Sequence, residues 1–410
     1  MNNFNYINDI SGGLSCINNL KVAGSREGKY GVAIIVSKNS QAAGVFTSNK
    51  VVAAPVNYTR NMIKNGIVSA IFVNSGNANC FTGQQGIDDC EELVNLVSKD
   101  LKIPSSEIAI ASTGVIGREM PMDIIEKVTY DTLSKLDNTP ESSFEAAKAI
   151  MTTDTVAKEF AIEISLESGE KVKIGGITKG VGMIAPNMGT MLCFLATDAV
   201  IDAKYLQKAL KKATDDSFNM IVVDGDESTN DTSLLIANGS SGVEVVDNGI
   251  INERFQEGLD YICKVLAKKQ VKDGEGATKL IEATVTGAKS LDDARKGAKA
   301  IVSSSLFKSA VFGGDPNWGW IDAAVGYAGI SMDESLISIE LANNEESVFM
   351  VKKGNILALD DTPELKKAEE IMTNEKVIVN VNLHLGDYSA TAWGCDLTYD
   401  YVKINAEYTT

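Results

Sequence analysis

A chain of 410 residues with a single histidine, His384, has closed off much of the common catalytic repertoire. HExxH zinc sites and multi-histidine metal clusters need at least two histidines, and any Ser-His arrangement has only one candidate base. No GxxxxGK[ST] run occurs, which removes the P-loop route to phosphate binding. The nearest approach to a calcium loop, "DGDESTNDTSLL" from Asp224, lacks glycine at its sixth position and ends on Leu235 where a bidentate glutamate is required. No metal and no bound cofactor are expected. The six cysteines (Cys16, Cys80, Cys90, Cys193, Cys263, Cys395) form no CxxC pair, and most sit in apolar runs, where a thiol packs as a small hydrophobe.

Basic residues are also scarce. With 38 Lys and Arg against 55 Asp and Glu, the formal net charge is -17, and nucleic acid is not an expected partner because phosphate contacts need clustered cations. The opening "MNNFNYINDISGG" has no basic segment followed by an apolar one, so no secretory signal is read there. The most apolar long stretch, residues 183–201, is interrupted by Pro186, Asn187, Thr190 and Asp198, so no membrane span is expected and the compartment is read as cytoplasmic.

What is present is an ordinary globular composition, 44% hydrophobic, enough for one large core or two medium ones. Strand-like runs start at Val32, Ile67, Asn219 and Lys376, and in the last Val377, Val379, Val381, Leu383 and Leu385 share one face by the period of two. Helical spacing joins Cys90, Leu93, Val94, Val97 and Leu101, then Leu206, Leu210 and Ala213, then Leu259, Ile262 and Leu266. Strands and helices arrive in clumps rather than in strict alternation, which predicts a layered α+β fold. No Pro/Ser-rich hinge divides the chain.

The one candidate boundary is chemical. In "GMIAPNMGTMLCFLATDA", Gly189 precedes Thr190 at the head of an apolar run. A threonine hydroxyl can attack the carbonyl of the preceding residue, shift the acyl group from nitrogen to oxygen, and leave an ester that water hydrolyses. The new N-terminal amine, with a reference pKa of about 7.7–8.0, then serves the same hydroxyl as base. Such a nucleophile does without histidine.

The run "KGVGMIAPNMGTMLCFLATDA" resembles the signature of the ornithine acetyltransferase family, the ArgJ-type enzymes of arginine biosynthesis. So do "VFTSN" at Val45, "NSGNAN" at Asn74, "STGVIG" at Ser112, "DGDESTNDT" at Asp224, "GGDPNWG" at Gly313 and "GCDLTYDYVKINAEYTT" from Gly394, in family order along essentially the whole chain. The resemblance implies stacked β-sheets flanked by helices, the ArgJ/DmpA-like fold, and self-cleavage into an α chain (1–189) and a β chain (190–410). It implies that Thr190 takes the acetyl group of N-acetylornithine and passes it to glutamate, and that the two chains associate as an α2β2 heterotetramer. Acetyl-CoA is carried as an alternative donor, since family members with and without that activity share these motifs.

The resemblance assigns Thr113 and Gly114 to an oxyanion hole, although "ASTGVIG" by itself reads as a strand ending at Ile110 followed by a turn. It assigns Thr153, Lys179, Thr190, Glu275, Asn405 and Thr410 to substrate binding, with Thr152 as the alternative to Thr153 should the register slip by one. Lys179 suits a substrate carboxylate, and Glu275 a substrate ammonium. His384 is assigned no catalytic role. The chain departs from the family pattern at Gly189 (alanine is usual), Trp320 and Thr409 (arginine is usual at both). A self-processing aminopeptidase or amidase of the DmpA-like fold is the alternative reading, and an uncleaved binding protein with Gly-rich loops is the second.

Overall fold

The computed structural model describes residues 4–185 and 191–407. They form two compact units, one from the described parts of 1–180, 186–219 and 227–270, the other from those of 181–185, 220–226 and 271–410.

The first unit is built on a nine-stranded sheet. Its strands run in the order Ile7–Ile10, Lys158–Ser165, Lys171–Lys179, Leu192–Thr197, Thr232–Ala237, Tyr30–Phe46, Ile67–Asn77 and Ile108–Val115, with Lys21–Glu27 hairpinned onto Tyr30–Phe46. Neighbours are antiparallel except for two parallel pairs, Leu192–Thr197 with Thr232–Ala237 and Ile67–Asn77 with Ile108–Val115. The period of two explains why these strands are apolar along nearly their whole length. Ala33 and Ile35 point into one core while Val32, Ile34 and Val36 point into another, and the same split divides Ile71 and Val73 from Ala70 and Phe72.

The second of these cores is closed by the helices Gly83–Leu101 and Met122–Leu133, which supply Cys90, Leu93, Val94, Val97, Ile125 and Val128. The first joins side chains from the two halves of the sheet, Val73 and Ala111 with Phe194, Ala196, Leu234 and Ile236. The sheet therefore stacks on itself, and the ladder between Tyr30–Phe46 and Ile67–Asn77 carries a register shift between Val36 and Ser40. The helix Pro140–Ala149 adds Ala146, Ala147 and Ala149 to that core, and its start is fixed by a capping box between Thr139 and Ser142 with proline in the first turn.

The second unit has a seven-stranded sheet in the order Asn355–Ile356, Ser347–Lys352, Ser338–Ala342, Lys376–Asn382, Leu280–Ala288, Tyr388–Cys395 and Ile221–Val222. Val377, Val379 and Val381 are buried, as their alternation predicts. The strand expected to reach Leu385 ends at Asn382, because His384 turns the backbone with a φ of 54°. The helix Leu291–Ser303 packs its Ala294, Ala298, Ile301 and Val302 face inward.

The architecture is α+β, stacked sheets flanked by helices. All six cysteines are free thiols, five of them buried. No helix among the described residues is long and apolar enough to cross a membrane. The bond between Gly189 and Thr190 does not coincide with a boundary between the compact units. Lys171–Lys179, before it, and Leu192–Thr197, after it, are antiparallel neighbours with Lys179 opposite Leu192.

Phe194 is fully buried where the two halves of the first sheet meet. Phe194→Ala is expected to destabilise the protein by about 3–5 kcal/mol, read from the urea midpoint, because a rigid two-sided core collapses poorly onto the cavity. A loss below about 1 kcal/mol would show that this interface between layers is not close-packed.

Candidate active site

The strand that carries Thr113 and Gly114 does not stop at Ile110. It continues to Val115 and pairs in parallel with Ile67–Asn77, Ser75 opposite Thr113 and Gly76 opposite Gly114. There the register breaks, Asn77 facing both Thr113 and Val115. Gly114 has a φ of 139°, and a Cβ on it would lie 2.3 Å from the carbonyl carbon of Gly76 and 2.4 Å from the nitrogen of Asn77. Only glycine allows the two backbones this approach. The glycine that reads locally as a turn is thus a contact between strands.

Thr113 is buried, and its hydroxyl faces a cation. The Lys179 ammonium donates to Thr113 Oγ1 at 3.3 Å and to Thr152 Oγ1 at 2.8 Å. An ammonium has no lone pair, so both hydroxyl oxygens accept and their own protons must point elsewhere. Of the two candidate threonines, Thr152 is the one whose hydroxyl meets Lys179; Thr153 beside it is half-buried.

Asp154, which sequence reasoning did not single out, organises this cluster. Its side chain is fully buried, Oδ1 accepts from Lys158 Nζ at 2.7 Å, and Lys179 Nζ lies 3.9 Å from Oδ2. The backbone N–H groups of Gly180 (3.0 Å) and Thr152 (3.1 Å) complete its shell. Burial alone would raise this carboxyl, but the ammonium groups of Lys179 and Lys158, with the Gly180 N–H, hold it below the usual carboxylate range. The faint signal in the sequence is an acid and a lysine four residues apart in "DTVAK".

The asparagines of "NSGNAN" and "DGDESTNDT" brace the strand beneath Thr113. Ser112 Oγ donates to Asn74 Oδ1, and Asn74 Nδ2 donates to the Asn77 carbonyl. Asn77 reaches the carbonyls of Arg118 and Glu119. Asn230 Nδ2 bonds both Ala78 O at 2.6 Å and Ser112 O at 2.9 Å, tying two strands together where the ladder breaks. The Asn77, Ala78 and Ser112 carbonyls, on buried residues, thereby gain partners inside the protein.

Gly189 and Thr190 lie outside the described residues, as does Thr410. The residue after Thr190 is firmly held. Met191 N–H donates to Asp231 Oδ1 at 2.7 Å, and its carbonyl accepts from Thr232 N at 3.1 Å. Asp231 is buried, and its Oδ2 has no hydrogen-bond partner among the described residues. Burial pushes its carboxyl well above the ordinary range despite the Met191 N–H, and Glu227 adds to the shift.

In the second unit, Glu275 and Asn405 meet, Asn405 Nδ2 donating to Glu275 Oε2 at 2.7 Å. The Glu275 carboxylate lies against Gly182, where a Cβ would come within 2.4 Å of Oε2. Glu275 N also donates to the Val181 carbonyl at 2.8 Å. Asn405 sits one turn past Tyr401, whose hydroxyl donates to Asp224 Oδ2 at 3.2 Å. Asp224 in turn accepts the N–H groups of Met183 and Ile184, which is the task of the first acid of "DGDESTNDT". The "GGDPNWG" segment joins two helices: Gly314 ends Ser305–Gly313 with a φ of 75°, and Trp318 Nε1 donates to the Ala358 carbonyl. Trp320 is on the surface of the helix Trp318–Tyr327. Among the described residues no group of three or more His, Cys, Asp or Glu side chains is placed to hold a metal.

The sequence profile of the ArgJ family matches residues 18–410. The glutamate N-acetyltransferase of Methanothermobacter thermautotrophicus is 50% identical over 401 residues, 98% of each chain. That of Methanocaldococcus jannaschii is 51% identical over 408 residues, covering 98% of this chain and 99% of the relative. Among solved structures, the arginine biosynthesis bifunctional protein ArgJ of Bacillus halodurans is 42% identical, with a TM-score of 0.49 over 53% of this chain and 99% of that one.

Asp231 makes a pH prediction. A carboxyl whose pKa is raised by folding stabilises the folded state fully only below its unfolded pKa, about 3.9, and that contribution is lost as pH rises toward the raised value. Asp231→Asn should therefore remove part of the decline in unfolding free energy seen on going up from about pH 4. Urea titrations at several pH values check this, and parallel wild-type and variant curves would refute it.

Proposed function

The chain belongs to the ArgJ family, and from that premise we propose that it cuts itself between Gly189 and Thr190 and then carries acetyl groups from N-acetylornithine to glutamate on the Thr190 hydroxyl. The enzyme is a glutamate N-acetyltransferase, an acyltransferase of arginine biosynthesis. The covalent route, the cut and the residue roles are the proposal.

The observation that carries the proposal is the hydrogen-bond polarity at Thr113. Its oxygen is occupied by the Lys179 ammonium, which leaves its proton for an acceptor of the opposite kind. An oxyanion is such an acceptor. In the proposed reaction, the free amine of Thr190 takes the hydroxyl proton as Oγ attacks the acetyl carbonyl. The negative oxygen of the tetrahedral intermediate is held by the Thr113 hydroxyl and the Gly114 N–H. The amide carbon–nitrogen bond then breaks, the proton passes to the leaving nitrogen, and ornithine departs. Glutamate's amine attacks the acetyl ester through the same steps in reverse, restoring the Thr190 hydroxyl.

Glu275, with one oxygen on Asn405, offers a carboxylate suited to a substrate ammonium. Thr152 or Thr153, Asn405 and Thr410 are carried as substrate contacts on the resemblance. Acetyl-CoA as a second donor and an α2β2 assembly belong to the same proposal. Hydrolysis by a DmpA-like amidase would use the same nucleophile but would leave glutamate unacetylated.

Purified protein should run as two fragments on a denaturing gel, the second beginning Thr-Met-Leu-Cys, and Thr190→Ala should stay whole. Incubated with acetylornithine alone and quenched in acid, the 190–410 chain should gain one acetyl group on Thr190 and lose it on adding glutamate. A single band, or no acetylated chain at any time, defeats the proposal. Repeating the assay with acetyl-CoA decides whether it is also a donor.

Thr113→Ala should lower turnover by about 10²-fold or more, with a smaller effect on the Michaelis constants, because an oxyanion donor acts on charge that develops in the transition state. An effect confined to the Michaelis constants would reassign Thr113 to substrate contact.

A further inference from the structure

The buried cluster beside Thr113 contains two ammonium groups and one carboxylate. The side chains of Lys158, Asp154 and Lys179 are 1%, 0% and 4% exposed, so water screens none of them. Asp154 has close geometry to Lys158 at 2.7 Å and looser geometry to Lys179 at 3.9 Å, and it also takes two backbone N–H bonds. Lys179 lies closer to the Thr113 and Thr152 hydroxyls, at 3.3 and 2.8 Å. A lysine buried this deeply sheds its proton readily unless a negative charge stands near it. A neutral Lys179 amine would have a lone pair, and the bond to Thr113 could then reverse.

We propose that Asp154 is a positioning residue that fixes the direction of the Thr113 hydroxyl: facing Lys179 across 3.9 Å, it keeps that lysine a pure donor, so Thr113 presents its proton to the reacting oxygen. Lys158 completes the device. By ion-pairing with Oδ1 and donating to the Val156 carbonyl at 3.1 Å, it anchors the carboxylate so that Oδ2 is the oxygen turned to Lys179. The three charges leave one positive charge in surplus, which suits a site where a negative oxygen forms and vanishes in each half-reaction. This inference rests on the reading of Thr113 as an oxyanion donor.

The test is a pair of variants. Asp154→Asn keeps the shape and removes the charge; Asp154→Glu keeps the charge and alters the shape. For Asp154→Asn, turnover should fall roughly tenfold to a hundredfold with Michaelis constants for acetylornithine and glutamate within about threefold of wild type. Its activity should also fail at lower pH on the alkaline side, since Lys179 loses the carboxylate that holds its proton. The titratable groups around the cluster are Lys158, Lys179, the Arg26 guanidinium, which senses Asp154, Lys269, which senses Lys158, and Asp231, which senses Lys179. None of them can replace the lost negative charge at Oδ2. Asp154→Glu should keep the wild-type alkaline limb and more turnover than Asp154→Asn.

Melting temperatures taken alongside separate folding from chemistry. Asp154→Asn with wild-type turnover and pH profile overturns the inference. So does unchanged turnover with both Michaelis constants raised, which would make Lys179 a carboxylate anchor, and so does a folded Asp154→Glu less active than Asp154→Asn. If Asp154→Asn does not fold, a soluble Asp154→Glu with wild-type stability and no activity sinks the idea, and one with the wild-type alkaline limb upholds it. Wild-type protein in the same assay guards the premise: absent acetyl transfer there refutes the proposed function, whereas normal transfer in both wild type and Asp154→Asn refutes this inference alone.

Discussion

A sheet buried on both faces has no water to fall back on. Each backbone group that leaves the ladder must find another partner inside the protein, and this requirement shapes the first unit. The ladder breaks at Gly76 and Gly114, where two strands come closer than any side chain allows. Around the break stand Asn74, Asn77, Asn79 and Asn230, whose side-chain amides each donate to backbone carbonyls there, in the strands, in the segment after Val115 and in the helix Gly83–Leu101. The asparagine-rich motifs thus cross-link the backbone around the break, and the strand that carries Thr113 is held by them.

The same exclusion of water governs the charges. Two lysines and two amides hold the Asp154 carboxyl below the usual range, whereas burial and a neighbouring Glu227 push Asp231 well above it despite the Met191 amide. Two buried aspartates in one unit are thus shifted in opposite directions, decided by partners rather than by depth. One faces two lysine ammonium groups; the other accepts the N–H of Met191.

Much of the fold was legible. The alternation through Val377, Val379 and Val381, and the helical face of Cys90, Leu93, Val94 and Val97, follow from geometry that any chain must obey. Local chemistry misled at "STGVIG", because a glycine needed for close strand contact looks the same in sequence as a glycine needed for a turn. Asp154 was illegible for a different reason: its meaning lies in Lys179, 25 residues on, and only the sheet brings them together. The folded chain brings Lys179 to the hydroxyls of Thr113 and Thr152 in the first unit and Asn405 to Glu275 in the second, pairings between distant residues that no local spacing in the sequence reveals. The division into units was hidden because short pieces such as 181–185 and 220–226 belong with the C-terminal part, and no change of composition marks them.

The order of strands in the first sheet has a bearing on assembly. Leu192–Thr197 and Thr232–Ala237 are adjacent to each other, with Lys171–Lys179 on one side and Tyr30–Phe46 on the other. A chain severed before Thr190 would have its second piece wedged between two strands of the first, like a central plank in a floor. Fragments made separately would have to prise open a finished sheet to reach that place. The intact chain needs no such insertion, so under the proposed cut folding would come first and cleavage second.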